Sequence, residues 1–272
     1  MSPHERRAPA WLDGVRLAWG TLTAIPGPPP SSVDGRVARA AMLGAWLVVL
    51  PLTLFVAGIG GALTALGVPS LAAGLLTVGL LQLLTNGIHA DGLADTLDGL
   101  GSGRRPERSL EIMRRGDIGP LGATGLVVVL GAQAVLLGEL LLLPLGWLLA
   151  GLALGTGRLA TAFGCARGVP AARADGLGQA MAGSVPRWAG ALSWLSALGA
   201  GVGLTLLLDA AGGPEPVMIA WWAWPVGMVV GSAGVLWVLR TAIRRLGGIT
   251  GDILGALVES MTLGVLLGLA LG

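Results

Sequence analysis

Three carboxylates and a histidine crowd the end of an apolar run in this 272-residue chain, in the order His89, Asp91, Asp95, Asp98. Ionisable residues are costly at membrane depth, and those that persist there face a cavity or a functional site. Asp91, Asp95 and Asp98 stand at i, i+4 and i+7, a spacing that predicts one helical face. Unpaired carboxylates so placed repel one another, which predicts a cation between them. Hard oxygen ligands of this kind suit Mg²⁺, which binds through one or two carboxylates, substrate phosphates and water. The chemistry implied is metal-assisted, at a membrane surface. His89 can serve as a base, as a donor to phosphate, or simply as an interfacial histidine. The bland alternative for the aspartates is a solvated helix end just outside lipid.

Two further segments are expected at the same face. Gly247-Gly248-Ile249-Thr250-Gly251-Asp252 is a glycine-rich turn opening a final apolar stretch, with Glu259 seven residues beyond Asp252. Turns of this type expose backbone N–H groups that suit phosphate; close helix packing is the alternative reason for the glycines. Glu259 lies inside an apolar run and needs a partner. Arg158 sits within a span, and Arg173 follows in Ala172-Arg173-Ala174-Asp175-Gly176-Leu177-Gly178. A guanidinium pairs bidentately with phosphate or carboxylate, so either can hold substrate or neutralise an acidic neighbour. Most of the five arginines between 104 and 115 are read as attracting anionic lipid headgroups.

The elements that must position these groups follow from composition. Hydrophobic residues make up 54% of the chain and charged residues 12%. With a mean hydropathy of +0.79, the chain has too much apolar surface for one soluble core, which predicts membrane spans. The 47 glycines fit close helix approach in lipid. All 17 basic residues are arginine, and topology, not nucleic acid, accounts for the high isoelectric point. Cys165 is the only cysteine, which excludes an internal disulfide or thiolate cluster and reads as apolar filler. No cleavable signal is expected, although Arg6, Arg7 and Arg16 lie near the start. Trp11, Leu12, Val15, Leu17, Trp19 and Leu22 predict a short amphipathic helix at the interface, ended by the prolines from Pro26 to Pro30.

Seven spans are predicted, at 40–66, 70–90, 121–142, 146–165, 188–208, 217–239 and 253–271, the last partly re-entrant because of its glycines. The short links 67–69, 143–145 and 209–216 carry no arginine. Arg36, Arg39, the arginines from Arg104 to Arg115, Arg167, Arg173, Arg187, Arg240, Arg244 and Arg245 all fall on the other side. Arginine-bearing loops mark the cytoplasmic face. The expectation is an all-α polytopic protein of the inner (cytoplasmic) membrane, one domain over 1–272, with the acidic site facing the cytoplasm.

The blocks His89-x-Asp91-Gly92-Leu93-Ala94-Asp95-x-x-Asp98-Gly99, Leu110-Glu111-Ile112-Met113-Arg114 with Ile118-Gly119-x-x-Gly122, Ala172-Arg173-x-x-Gly176-Leu177-Gly178 and Gly247-Gly248-x-Thr250-Gly251-Asp252-x-x-Gly255-Ala256 occur in this order. Together they resemble the cobalamin synthase (adenosylcobinamide-GDP ribazoletransferase) family over nearly the whole chain. Departures fall at Ala24, Ala171, Ala174, Asp175 and Thr262, where the family usually has arginine, tyrosine, proline, glutamate and glutamate. The resemblance implies Mg²⁺-dependent joining of adenosylcobinamide-GDP to α-ribazole or its 5′-phosphate, with release of GMP. It implies Asp91, Asp95, Asp98 and Asp252 as metal ligands and His89 or an aspartate as proton acceptor. Arg114, Arg173, Arg158 and Thr250 would contact substrate, and membrane lipid would be the remaining partner. A CDP-alcohol phosphotransferase is the nearest rival enzyme, but it has arginine where Asp95 stands here. An ion-coupled transporter using Asp91, Asp95, Arg158 and Glu259 as a relay is the rival from another class.

Overall fold

Long apolar runs without period-two alternation satisfy their backbone only as helices in lipid, and helices are what this sequence forms. The computed structural model describes residues 8–211 and 219–272. Arg6, Arg7 and most of the predicted link 209–216, together with the first two residues of the predicted span 217–239, lie outside the described residues. The helices are α1 (Ala10–Leu22), α2 (Gly35–Ala65), α3 (Ser70–Leu84), α4 (Ile88–Gly101), α5 (Pro106–Ile112) and α6 (Pro120–Leu141). They continue as α7 (Gly146–Thr156), a 3₁₀ turn (Gly157–Leu159), α8 (Ala160–Gly164), α9 (Gly176–Met181), α10 (Arg187–Ala211), α11 (Ala223–Leu246) and α12 (Gly251–Leu269).

Five of these, α2, α6, α10, α11 and α12, are individually long and apolar enough to cross a membrane, and α3 with α4 makes a sixth candidate. The predicted span 146–165 is built from three consecutive pieces, α7, the 3₁₀ turn and α8, with helical backbone angles through both junctions. The predicted span 70–90 is not one straight helix. α3 has 15 residues, about 22 Å, short of the roughly 30 Å hydrocarbon core. After it the chain turns by 93° into α4. The corner is Asn86-Gly87, both in the left-handed region at φ 53° and 64°, which asparagine and glycine tolerate best. The final span, expected to be partly re-entrant, is instead an unbroken 19-residue helix and the most buried of the five.

α12 is the centre of the bundle, packed between α11 and α4. Gly264 and Gly268 lie directly on Gly231 and Gly227 of α11, where any side chain would overlap backbone. The arginine-bearing ends of the helices meet: Arg39 Nε donates to the Ser184 carbonyl at 3.1 Å, and Arg173 to that of Leu110 at 2.9 Å. At the other end the Thr64 hydroxyl donates to the Leu141 carbonyl, and Ser70 bonds Glu139. α1 packs one face on α2 and is tied to the following loop by Asp13, which accepts from the Ser31 amide and hydroxyl. Those bonds, chiefly the hydroxyl, hold the Asp13 carboxyl below the usual carboxylate range.

Candidate active site

The site is made where α4 crosses the first turns of α12. Gly92 rests on the backbone of Asp252, so close that a Cβ would lie 2.6 Å from the Asp252 carbonyl oxygen. One turn away, a Cβ on Gly255 would lie 3.1 Å from the backbone of His89. These two glycines let the helices touch, and the contact joins residues about 160 apart in sequence. Asp91 is exposed and Asp95 is 9% exposed. Asp95 lies within electrostatic reach of Asp91, Asp252 and Asp98, with Arg173 as the facing cation.

The loop after α8 brings Arg173 in. Its backbone is locked to the glycine-rich turn before α12: Ala172 donates to the Ile249 carbonyl and Ile249 to that of Pro170, each at 2.9 Å. Gly178 of α9 sits against Thr250, where a Cβ would lie 2.8 Å from its Cα. Arg173 Nη1 then lies 3.6 Å from Asp252 Oδ2. Thr250 is the N-cap of α12. Its hydroxyl accepts from the Ile253 amide at 3.2 Å and donates to Asp252 at 3.1 Å. Asp252 is therefore not the cap of the last helix, the simplest structural role open to it; it is a first-turn carboxylate aimed by the cap.

Other residues singled out from the sequence stand elsewhere. Asp98 accepts from the Gly119 and Gly122 amides at 2.7 and 2.9 Å. It caps the N-terminus of α6 from a neighbouring helix, with each carboxylate oxygen accepting one backbone amide. Arg114 pairs through Nη2 with both oxygens of Asp175, at 2.9 and 3.0 Å, on the exposed surface. Arg158 is 2% exposed and donates to the Leu154 carbonyl at 2.7 Å. The charge of Glu259 acts on it from α12. Glu259 finds its remaining partners in Gln133 Nε2 at 2.7 Å and Gln82 Nε2 at 3.4 Å. Among the arginines from 104 to 115, Arg108 and Arg115 both grip Glu111 and hold its carboxyl low, Arg108 most strongly. Arg104 and Arg105 carry no ion pair among the described residues.

Asp91 and Asp252 also line a cavity of about 300 Å³ that runs between α4, α12 and α1. His89, 3% exposed, forms part of its wall. Leu22, Met42 and Leu254 line it as well, and nothing in the sequence marks them, because apolar residues facing lipid and facing a cavity look alike.

Among the described residues no three acidic, histidine or cysteine side chains already form a closed metal cage. The donor set nevertheless fits Mg²⁺. Asp91, Asp95 and Asp252 offer hard oxygens, Arg173 is the positive neighbour of Asp95 and Asp252, and an ion that keeps waters and binds substrate phosphates needs only one or two carboxylates.

Known proteins resemble this chain over most of its length. The family model described as cobalamin-5-phosphate synthase matches residues 14–270. A Nocardioides sp. protein named adenosylcobinamide-GDP ribazoletransferase is 44% identical over 247 residues, covering 91% of this chain and 93% of its own. Proteins of the same name from Frankia casuarinae and Bradyrhizobium diazoefficiens are 38% and 37% identical, over 94% and 93% of this chain and 94% and 91% of theirs. No solved structure matches the chain. With the match running almost end to end and every quoted motif inside it, the chain belongs to the cobalamin-5-phosphate synthase family.

Proposed function

We propose that the protein transfers the adenosylcobinamide phosphate group from adenosylcobinamide-GDP to α-ribazole or its 5′-phosphate, with release of GMP, as the last joining step of the corrinoid coenzyme. The observation that carries this reading is the meeting of Asp91 and Asp95 with Asp252 across the α4–α12 crossing. Three carboxylates facing one guanidinium are short of positive charge, which a metal–diphosphate complex supplies.

In this reading Asp91, Asp95 and Asp252 would hold Mg²⁺. When bound, the ion neutralises charge on the phosphates and on departing GMP. Arg173, held by the Leu110 carbonyl, contacts a phosphate oxygen. A ribose hydroxyl oxygen of the acceptor bonds to the phosphorus on the cobinamide side, and the bond from that phosphorus to the bridging oxygen breaks. GMP leaves with that oxygen. The hydroxyl proton passes to a free carboxylate oxygen of Asp91, the most exposed of the three. Thr250 keeps Asp252 aimed throughout.

The arginine-bearing end faces the cytoplasm of the inner membrane by the positive-inside rule, where both water-soluble substrates are met. Purified protein in lipid nanodiscs tests the reading. GMP should appear only when donor, acceptor and Mg²⁺ are all present, and release of CMP from a CDP-alcohol, with no GMP, would reject it.

A further inference from the structure

The 300 Å³ cavity below Asp91 and Asp252 lies at the small end of ligand pockets. Exposure sorts its lining. Asp91, Asp252 and Leu177 reach solvent and form the mouth, while Leu22, Met42, Leu254 and Val258 are buried and form an apolar floor. His89 stands in the wall with its ring nitrogens buried against protein. Among the described residues no arginine lines the interior, so the cavity does not provide for a phosphate.

Of the two substrates in the reading above, one fits. The donor, a corrinoid joined to a nucleotide, is several times too large and rich in phosphate. The acceptor carries a flat, apolar dimethylbenzimidazole base with one ring nitrogen free to accept a hydrogen bond. We propose that this cavity is the acceptor subsite. The base lies on Leu22, Met42 and Leu254, and the ribose is left at the mouth beside Asp91 and Asp252. The donor then lies across the mouth, with its diphosphate at the carboxylates and Arg173. A 5′-phosphate on the acceptor stays outside the cavity, so both acceptors share one base site. This inference rests on the proposed function.

The test uses full-length protein in nanodiscs and free 5,6-dimethylbenzimidazole as probe. The free base should inhibit GMP release competitively against α-ribazole and not against adenosylcobinamide-GDP. Leu22→Trp, which fills the floor from the peripheral helix α1, should raise the acceptor KM at least about tenfold. Donor binding, read as corrin absorbance co-eluting with the protein, should stay within about twofold. Competition of the free base with the donor, or loss of donor binding with an unchanged acceptor KM, would overturn the subsite. The wild-type competition experiment stands even where a variant fails to fold. Absence of GMP release from the wild-type protein would instead overturn the function, whereas saturable binding of the free base to that protein would still locate the cavity's ligand.

Discussion

Two sets of charges sit on α12 about 10 Å apart along the helix, and they are finished differently. Glu259, deep in the bundle, has Gln133 and Gln82 as hydrogen-bond partners and the charge of Arg158 nearby. Asp252, seven residues earlier, shares the guanidinium of Arg173 with Asp95 and lies within electrostatic reach of Asp91. The inner carboxylate is partnered on both oxygens by the chain itself and so ties α12 to α3 and α6. The outer set is short of positive charge and open to solvent, the state expected of a site that receives a cation and phosphates. The difference also argues against an ion relay through the membrane, since the inner carboxylate is buried and has internal partners.

The largest effect should come from separating the halves of the outer set without touching a carboxylate. Gly92→Leu would drive a side chain into the Asp252 backbone and push α4 off α12. A displacement near 1 Å at a reacting centre costs roughly 10²-fold in rate. GMP release should therefore fall by at least about that factor while circular dichroism stays helical; near-normal turnover would break the comparison. Glu259→Ala should act in the opposite way. It leaves Arg158 buried without its counter-charge, at a cost of about 3 kcal/mol or more, read as a lower unfolding temperature in detergent. The Mg²⁺ concentration for half-maximal activity should not move, and a shift in it would place Glu259 in the outer set. Asp98→Ala should have the smallest effect, about 2 kcal/mol from the lost cap on α6, again with an unchanged Mg²⁺ requirement. A raised requirement would return Asp98 to the metal.

Much of this was legible because charge in an apolar run is expensive. His89, Asp91 and Asp95 stand out for that reason, and the arginines sort the loops by side. Other features depend on contacts the sequence does not display. Asp98 looks like a third ligand on the same helical face, yet it turns to amides 21 and 24 residues away. The corner after α3 had a local signal, Asn86-Gly87, a dipeptide that marks turns, hidden inside a run apolar enough to read as one span. α11 runs to Leu246, past the predicted end at 239, because Arg240, Arg244 and Arg245 can reach outward from a helix end. It stops only at Gly247, which takes the left-handed cap. Arg158 gave no sign of being sealed, since a buried and a substrate-facing arginine read alike until their neighbours are known.

If Asp91 on α4 and Asp252 on α12 serve one centre, a double-substitution cycle measures the coupling directly. Asp91→Asn and Asp252→Asn should each lower GMP release by roughly 10²-fold, about 3 kcal/mol of transition-state stabilisation. Both should also raise the Mg²⁺ concentration for half-maximal activity. Together they should cost little more than either alone, because the first loss already disables the shared site. Losses that multiply to about 10⁴-fold, with the Mg²⁺ requirement untouched in both single variants, would contradict a shared centre.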